Sequence, residues 1–133
     1  MIRDDSSEQE IIQIRKVFRF LIEEGYRESE AIIGGKEPSV SFENNSLNRK
    51  IRVYWSEAGY YDVEISRKKM FSFGKYSALF SVIEVWKTFE NEYWPPFGIE
   101  NKLNYLANFI KTNFTPIVKG KKWLTNPSKP LIK

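Results

Sequence analysis

Asp62 and Glu64 are the side chains whose types and spacing come closest to chemistry. Two residues apart in an alternating stretch, their carboxylates share one strand face. A pair so placed could serve two-carboxylate hydrolysis or hold a hard divalent cation. In the hairpin register argued below they lie opposite Tyr54 and Arg52. That placement favours a cross-strand hydrogen bond and an ion pair on a solvated sheet face. No third ligand or proton donor accompanies them. The 133 residues contain no histidine and no cysteine, which removes the usual proton shuttle, thiol nucleophile, zinc set and disulfide framework. Gly34-Gly35-Lys36 lacks the spacing and the following helix of a phosphate loop. The chain therefore reads as a non-enzymatic binding protein with no catalytic residues, no metal and no cofactor.

Charge supplies the rival reading. Basic and aromatic residues interleave in 49–55, 67–73 and 119–123, as in surfaces that stack bases and neutralise phosphates. The formal charge is +4, but residues 1–46 hold 6 basic and 10 acidic side chains, whereas residues 47–133 hold 15 and 7. From Lys102 onward there are seven lysines and no acid. A nucleic-acid-binding module would use Lys119, Lys121, Lys122 and Trp123. Alternation turns most of the other rings inward, and no RNP-type strand or helix-turn-helix pattern appears.

The elements that must position these residues follow from periodicity. A chain this long makes one domain and buries roughly two-thirds of its unfolded surface. Residues 1–124 form that domain, and 125–133, with two prolines, form a frayed tail. Ser7 and Glu10 have capping-box spacing, and Ile11, Ile14, Phe18, Leu21 and Ile22 recur at helical intervals up to Gly25, which predicts a helix over 8–24. Residues 31–33 and 39–43 read as strands. The pair 50–56 and 60–66 reads as a hairpin around Glu57-Ala58-Gly59. Its register sets Trp55 against Tyr61, Tyr54 against Asp62, Val53 against Val63, Arg52 against Glu64 and Ile51 against Ile65. A shift by one residue would place Val53 against Glu64 and break every match. A helical stripe from near Ser77 runs through Leu79, Val82, Ile83, Trp86 and Phe89. A third helix spans 101–113, and Thr115-Pro116 opens a short fourth ending at Gly120. The expectation is an α+β fold: an antiparallel sheet of about four strands, one face covered by an N-terminal helix and two to three C-terminal helices.

Leu21-Ile22-Glu23-Glu24-Gly25-Tyr26, Val40-Ser41-Phe42-Glu43-Asn44, the hairpin Ile51–Ile65, Leu106-Ala107-Asn108-Phe109-Ile110 and Ile117-Val118-Lys119-Gly120 carry a resemblance. Across roughly residues 10–124 the layout resembles small bacterial immunity proteins of contact-dependent growth inhibition and other polymorphic toxin systems. The resemblance implies a cognate toxin domain as protein partner, bound without catalysis so that its active surface is blocked. Members directed at nucleases are often acidic, whereas this chain is basic outside its first third. The outward sheet face is the expected contact: Arg52, Tyr54, Asp62 and Glu64, with Tyr60 at the hairpin tip. The segment Glu90–Glu100, dense in rings and prolines, reads as either a core plug or a partner anchor. A polar, acidic start and the absence of a long apolar run predict a cytoplasmic protein with no membrane contact.

Overall fold

A computed structural model describes residues 3–35, 37–56, 60–68, 76–90 and 98–123. Alternation in the middle third produces a meander. Strands β1 (Arg27–Ile32), β2 (Ser39–Asn44), β3 (Arg49–Trp55), β4 (Tyr61–Lys68) and β5 (Tyr76–Ser81) lie side by side in chain order. All neighbours are antiparallel. The β3–β4 register is the one expected, from Lys50 opposite Ser66 to Trp55 opposite Tyr61. The turn at 57–59 and the segments 91–97 and 125–133 lie outside the described residues.

Helices α1 (Arg3–Val17), α2 (Arg19–Glu23), α3 (Val82–Glu90), α4 (Ile99–Asn113) and α5 (Thr115–Val118) complete the α+β fold. Their apolar stripes seek the one apolar sheet face. Accordingly α1 packs on α4 and β2, α3 on β4 and β5, and α4 on β4. Phe18, Phe42, Val53, Val63, Leu103, Leu106 and Ile117 are buried between the layers. Trp86 stacks on Phe109 with ring centroids 3.7 Å apart.

Four expectations need correction. The first helix starts at Arg3, which puts Ser7 inside it and not at a cap, and it breaks at Phe18 into α1 and α2. Beyond the break Leu21 is buried while Ile22, expected on the same stripe, is 47% exposed. The sheet has five strands, not about four. Tyr76–Ser81 is strand, and the helix begins only at Val82. Leu79, assigned to the buried stripe, is 64% exposed on the opposite face. Pairing along the free edge of β4 outweighs the helical period of those six residues, because an unpaired eight-residue edge would waste its ladder donors and acceptors. Finally, Phe114 occupies the N-cap of α5, with Pro in the first turn. Thr115 Oγ1 instead donates back to the Lys111 carbonyl at 2.6 Å.

Candidate functional site

The sheet face turned away from the helices is a connected polar surface. Ser39 opposes Tyr54 and Ser41 opposes Arg52 across β2–β3, while Lys50 opposes Ser66 across β3–β4. Each serine is buried although no described helix covers it. Short side chains beside long ones explain this, since the long residues of β3 shield the serine rows. The Arg52 guanidinium lies 4.3 Å from the Tyr54 ring centroid. It reaches Glu64 at 3.3 Å and Glu37 at 3.4 Å. A planar cation held by two carboxylates and a ring is preorganised for recognition. Exposed Ile32 on β1 and Leu79 on β5 flank the polar centre from the two sheet edges.

Asp62 does not belong to that exposed surface. It is 3% exposed, which corrects its assignment to a solvated sheet face. Oδ1 accepts from the backbone N–H of Val63 at 2.6 Å and of Ile83 at 3.1 Å. Oδ2 accepts from the Ser81 hydroxyl at 2.6 Å and the Tyr54 hydroxyl at 3.2 Å. Ile83 lies in the first turn of α3, where N–H groups lack helical partners, and Ser81 Oγ accepts from the Glu84 N–H at 3.2 Å. Asp62 therefore joins β3, β4 and the start of α3. Burial pushes its carboxyl above the ordinary range, against the opposing pull of those four donors. Burial, followed by the charges of Asp62 and Glu64, likewise pushes the Tyr54 phenol far up.

Tyr60, expected at an exposed tip, is partly buried against the core. Its carbonyl closes the hairpin by accepting the Ser56 N–H at 2.8 Å. The basic set lies elsewhere. Lys119 is paired with Glu24 at 3.6 Å, and Lys121 and Lys122 are exposed. Trp123 is partly buried, edge-on to Phe80 at 5.3 Å, with the guanidinium carbons of Arg49 and Arg67 within 5.0 and 4.8 Å of its ring. These residues gather at the Arg49 end of β3, remote from Tyr54, so the two candidate sets form separate places.

Sequence reasoning missed Glu37 and Ser81, and it placed Arg49 and Arg67 in separate basic–aromatic stretches without bringing them together. Only Ser81 left a local signal, the Ser81-Val82-Ile83-Glu84 capping spacing. Among the described residues, no three acidic side chains converge as a metal site would require. A cavity of about 160 Å³ lined by Phe20, Ile110 and Val118 brings together Glu24, Lys111 and Lys119, but no pair of carboxylates. Among the described residues, no helix is long and apolar enough to cross a membrane. No protein-family model, curated protein or solved structure matches the chain.

Proposed function

We propose that this chain is a non-enzymatic binding protein of the immunity type, which occludes a cognate toxin domain in the cytoplasm by stoichiometric contact. The supporting observation is the sheet face that no described helix covers, where Arg52 is fixed between Glu37, Glu64 and Tyr54 and flanked by exposed Leu79 and Ile32. Directional charges in fixed positions favour choice of partner, and the apolar edges supply area to bury. Buried Asp62 holds Tyr54 in place by accepting from its hydroxyl.

The test is co-expression with the variable C-terminal domain of a large secreted protein encoded immediately upstream. The parent should restore growth and co-purify in equal amounts with that domain. Arg52→Glu and Leu79→Asp should lose protection while melting within a few degrees of the parent. Failure of the parent to protect, or full protection by both variants, would remove the sheet face from consideration. The geometry takes Trp123 from the rival module as a base-stacking ring, since Phe80 and two guanidinium groups already engage it, and pairs Lys119 with Glu24.

A further inference from the structure

Arg67 brings five N–H donors to the end of β4. Among the described residues, neither a hydrogen-bond acceptor nor a carboxylate meets them. Its Nε is enclosed without a partner. The residue as a whole is only partly buried, and Nε is the one nitrogen of its guanidinium that is both enclosed and without a partner. Directly across the strand register lies a second guanidinium, that of Arg49. Arg49 spends its donors on carbonyls: Ile117 at 2.9 Å, Lys122 at 3.0 Å, Leu47 at 3.2 Å and Asn48 at 3.3 Å. Those oxygens take four of its five N–H groups, and none of them carries a formal charge.

Both guanidinium carbons stand within 5.0 Å of the Trp123 ring centroid. The ring fixes their planes but adds no negative charge. Exposed Lys121 and Lys122 lie on the same segment, and Lys68 follows Arg67 in β4. Two adjacent like charges, one whose donors meet no acceptor among the described residues, cost free energy that an oxyanion would recover. A carboxylate would match one fork. A phosphate matches the fork and carries the second charge that this many cations call for.

We propose that this end of the sheet is a phosphate-oxyanion site. Arg67 is its bidentate donor, Arg49 and Trp123 orient that donor, and Lys121 and Lys122 act as outer cations. The ligand class is a phosphate carried either by a free nucleotide or by the backbone of a single-stranded nucleic acid. The site occupies the opposite end and the opposite face of β3 from Tyr54, so its test is independent of the partner-occlusion reading.

The experiment is a titration of the full chain followed through the arginine Nε–H and tryptophan indole resonances, with chloride at matched ionic strength as control. Inorganic phosphate should shift the Arg67 and Trp123 signals saturably. Arg67→Gln should abolish the response, and Arg67→Lys, which keeps charge but loses the fork, should weaken it about tenfold. Lys121→Gln with Lys122→Gln should weaken it severalfold and gives a second variant should Arg67→Gln fail to fold. A nucleoside monophosphate and a short mixed-sequence oligonucleotide then separate the sources. Tighter oligonucleotide binding, with affinity falling by about 0.7 log units per log unit of salt for each phosphate held, assigns the nucleic-acid backbone; equal affinities assign the free phosphate. The site is overturned if the parent shows no saturable shift by about 50 mM phosphate, well beyond ordinary cellular ligand levels. A response reproduced by chloride, or retained in Arg67→Gln, overturns it equally.

Discussion

Replacing Asp62 distinguishes a structural node from a binding contact. Asp62→Ala strips four donors of their acceptor at once: Val63 N–H, Ile83 N–H, and the hydroxyls of Ser81 and Tyr54. The two hydroxyls belong to partly exposed residues and can turn to water, so their loss is small. The two backbone N–H groups sit in buried surroundings, and each orphaned donor costs about 1–3 kcal/mol. Removing a buried carboxylate also removes its desolvation cost, which offsets part of the loss. The net expectation for Asp62→Ala is about 2–4 kcal/mol of destabilisation. Asp62→Asn keeps the shape. Its carbonyl oxygen can accept from both N–H groups, and its amide can donate to the two hydroxyls, which also accept. It should cost about 1 kcal/mol or less. Urea unfolding at neutral pH, read as a change in midpoint at constant slope, measures both. If Asp62→Ala unfolds with the parent, or if Asn is as damaging as Ala, the node assignment is wrong.

The pH profile gives a second test through the same group. Because burial raises the folded carboxyl above its unfolded value near 3.9, the folded state holds the extra proton in that window. Its stabilising contribution is complete below the unfolded value and is lost as pH rises through the folded one. The parent should thus lose stability relative to Asp62→Asn across that rise, and a difference of opposite sign would show the four donors prevailing over burial. Trp55→Ala should cost about 2 kcal/mol in a thermal melt, since the ring is only partly buried while meeting Tyr61 edge-on at 4.8 Å. Arg49→Lys keeps the charge but cannot span the carbonyls of Ile117 and Lys122; it should cost about 2–3 kcal/mol and speed hydrogen exchange across 117–123. Gly120→Ala should cost about 1–3 kcal/mol by the same melts, because φ is +75° and the added carbon would lie 2.9 Å from Leu47 Cβ.

Much of the architecture was legible in the sequence because local period and register share one cause. Ile51, Val53, Val63 and Ile65 had to face the same side, so the β3–β4 pairing followed from hydrophobic alternation alone. The α+β class, the stop at Gly25 and the helix ending at Asn113 came from equally local rules. Pairing Arg52 with Glu64, and Tyr54 with Asp62, followed from that register.

Tertiary structure decided what no window of residues contains. Residues 76–81 became a strand because β4 offered a ladder, which outweighed a helical period that their own sequence displays. Asp62 looked like a solvated acid because alternation assigns a face but not an exposure. Hydrogen bonds from the junction of β5 and α3, with Ser81 and Ile83 as donors, hold it in buried surroundings. Arg49 and Arg67 appeared only as members of two separate basic–aromatic stretches, just outside the strands expected at 50–56 and 60–66. Their adjacency across the sheet, with Trp123 brought back from the far end of the chain, is a long-range contact that only the folded chain creates.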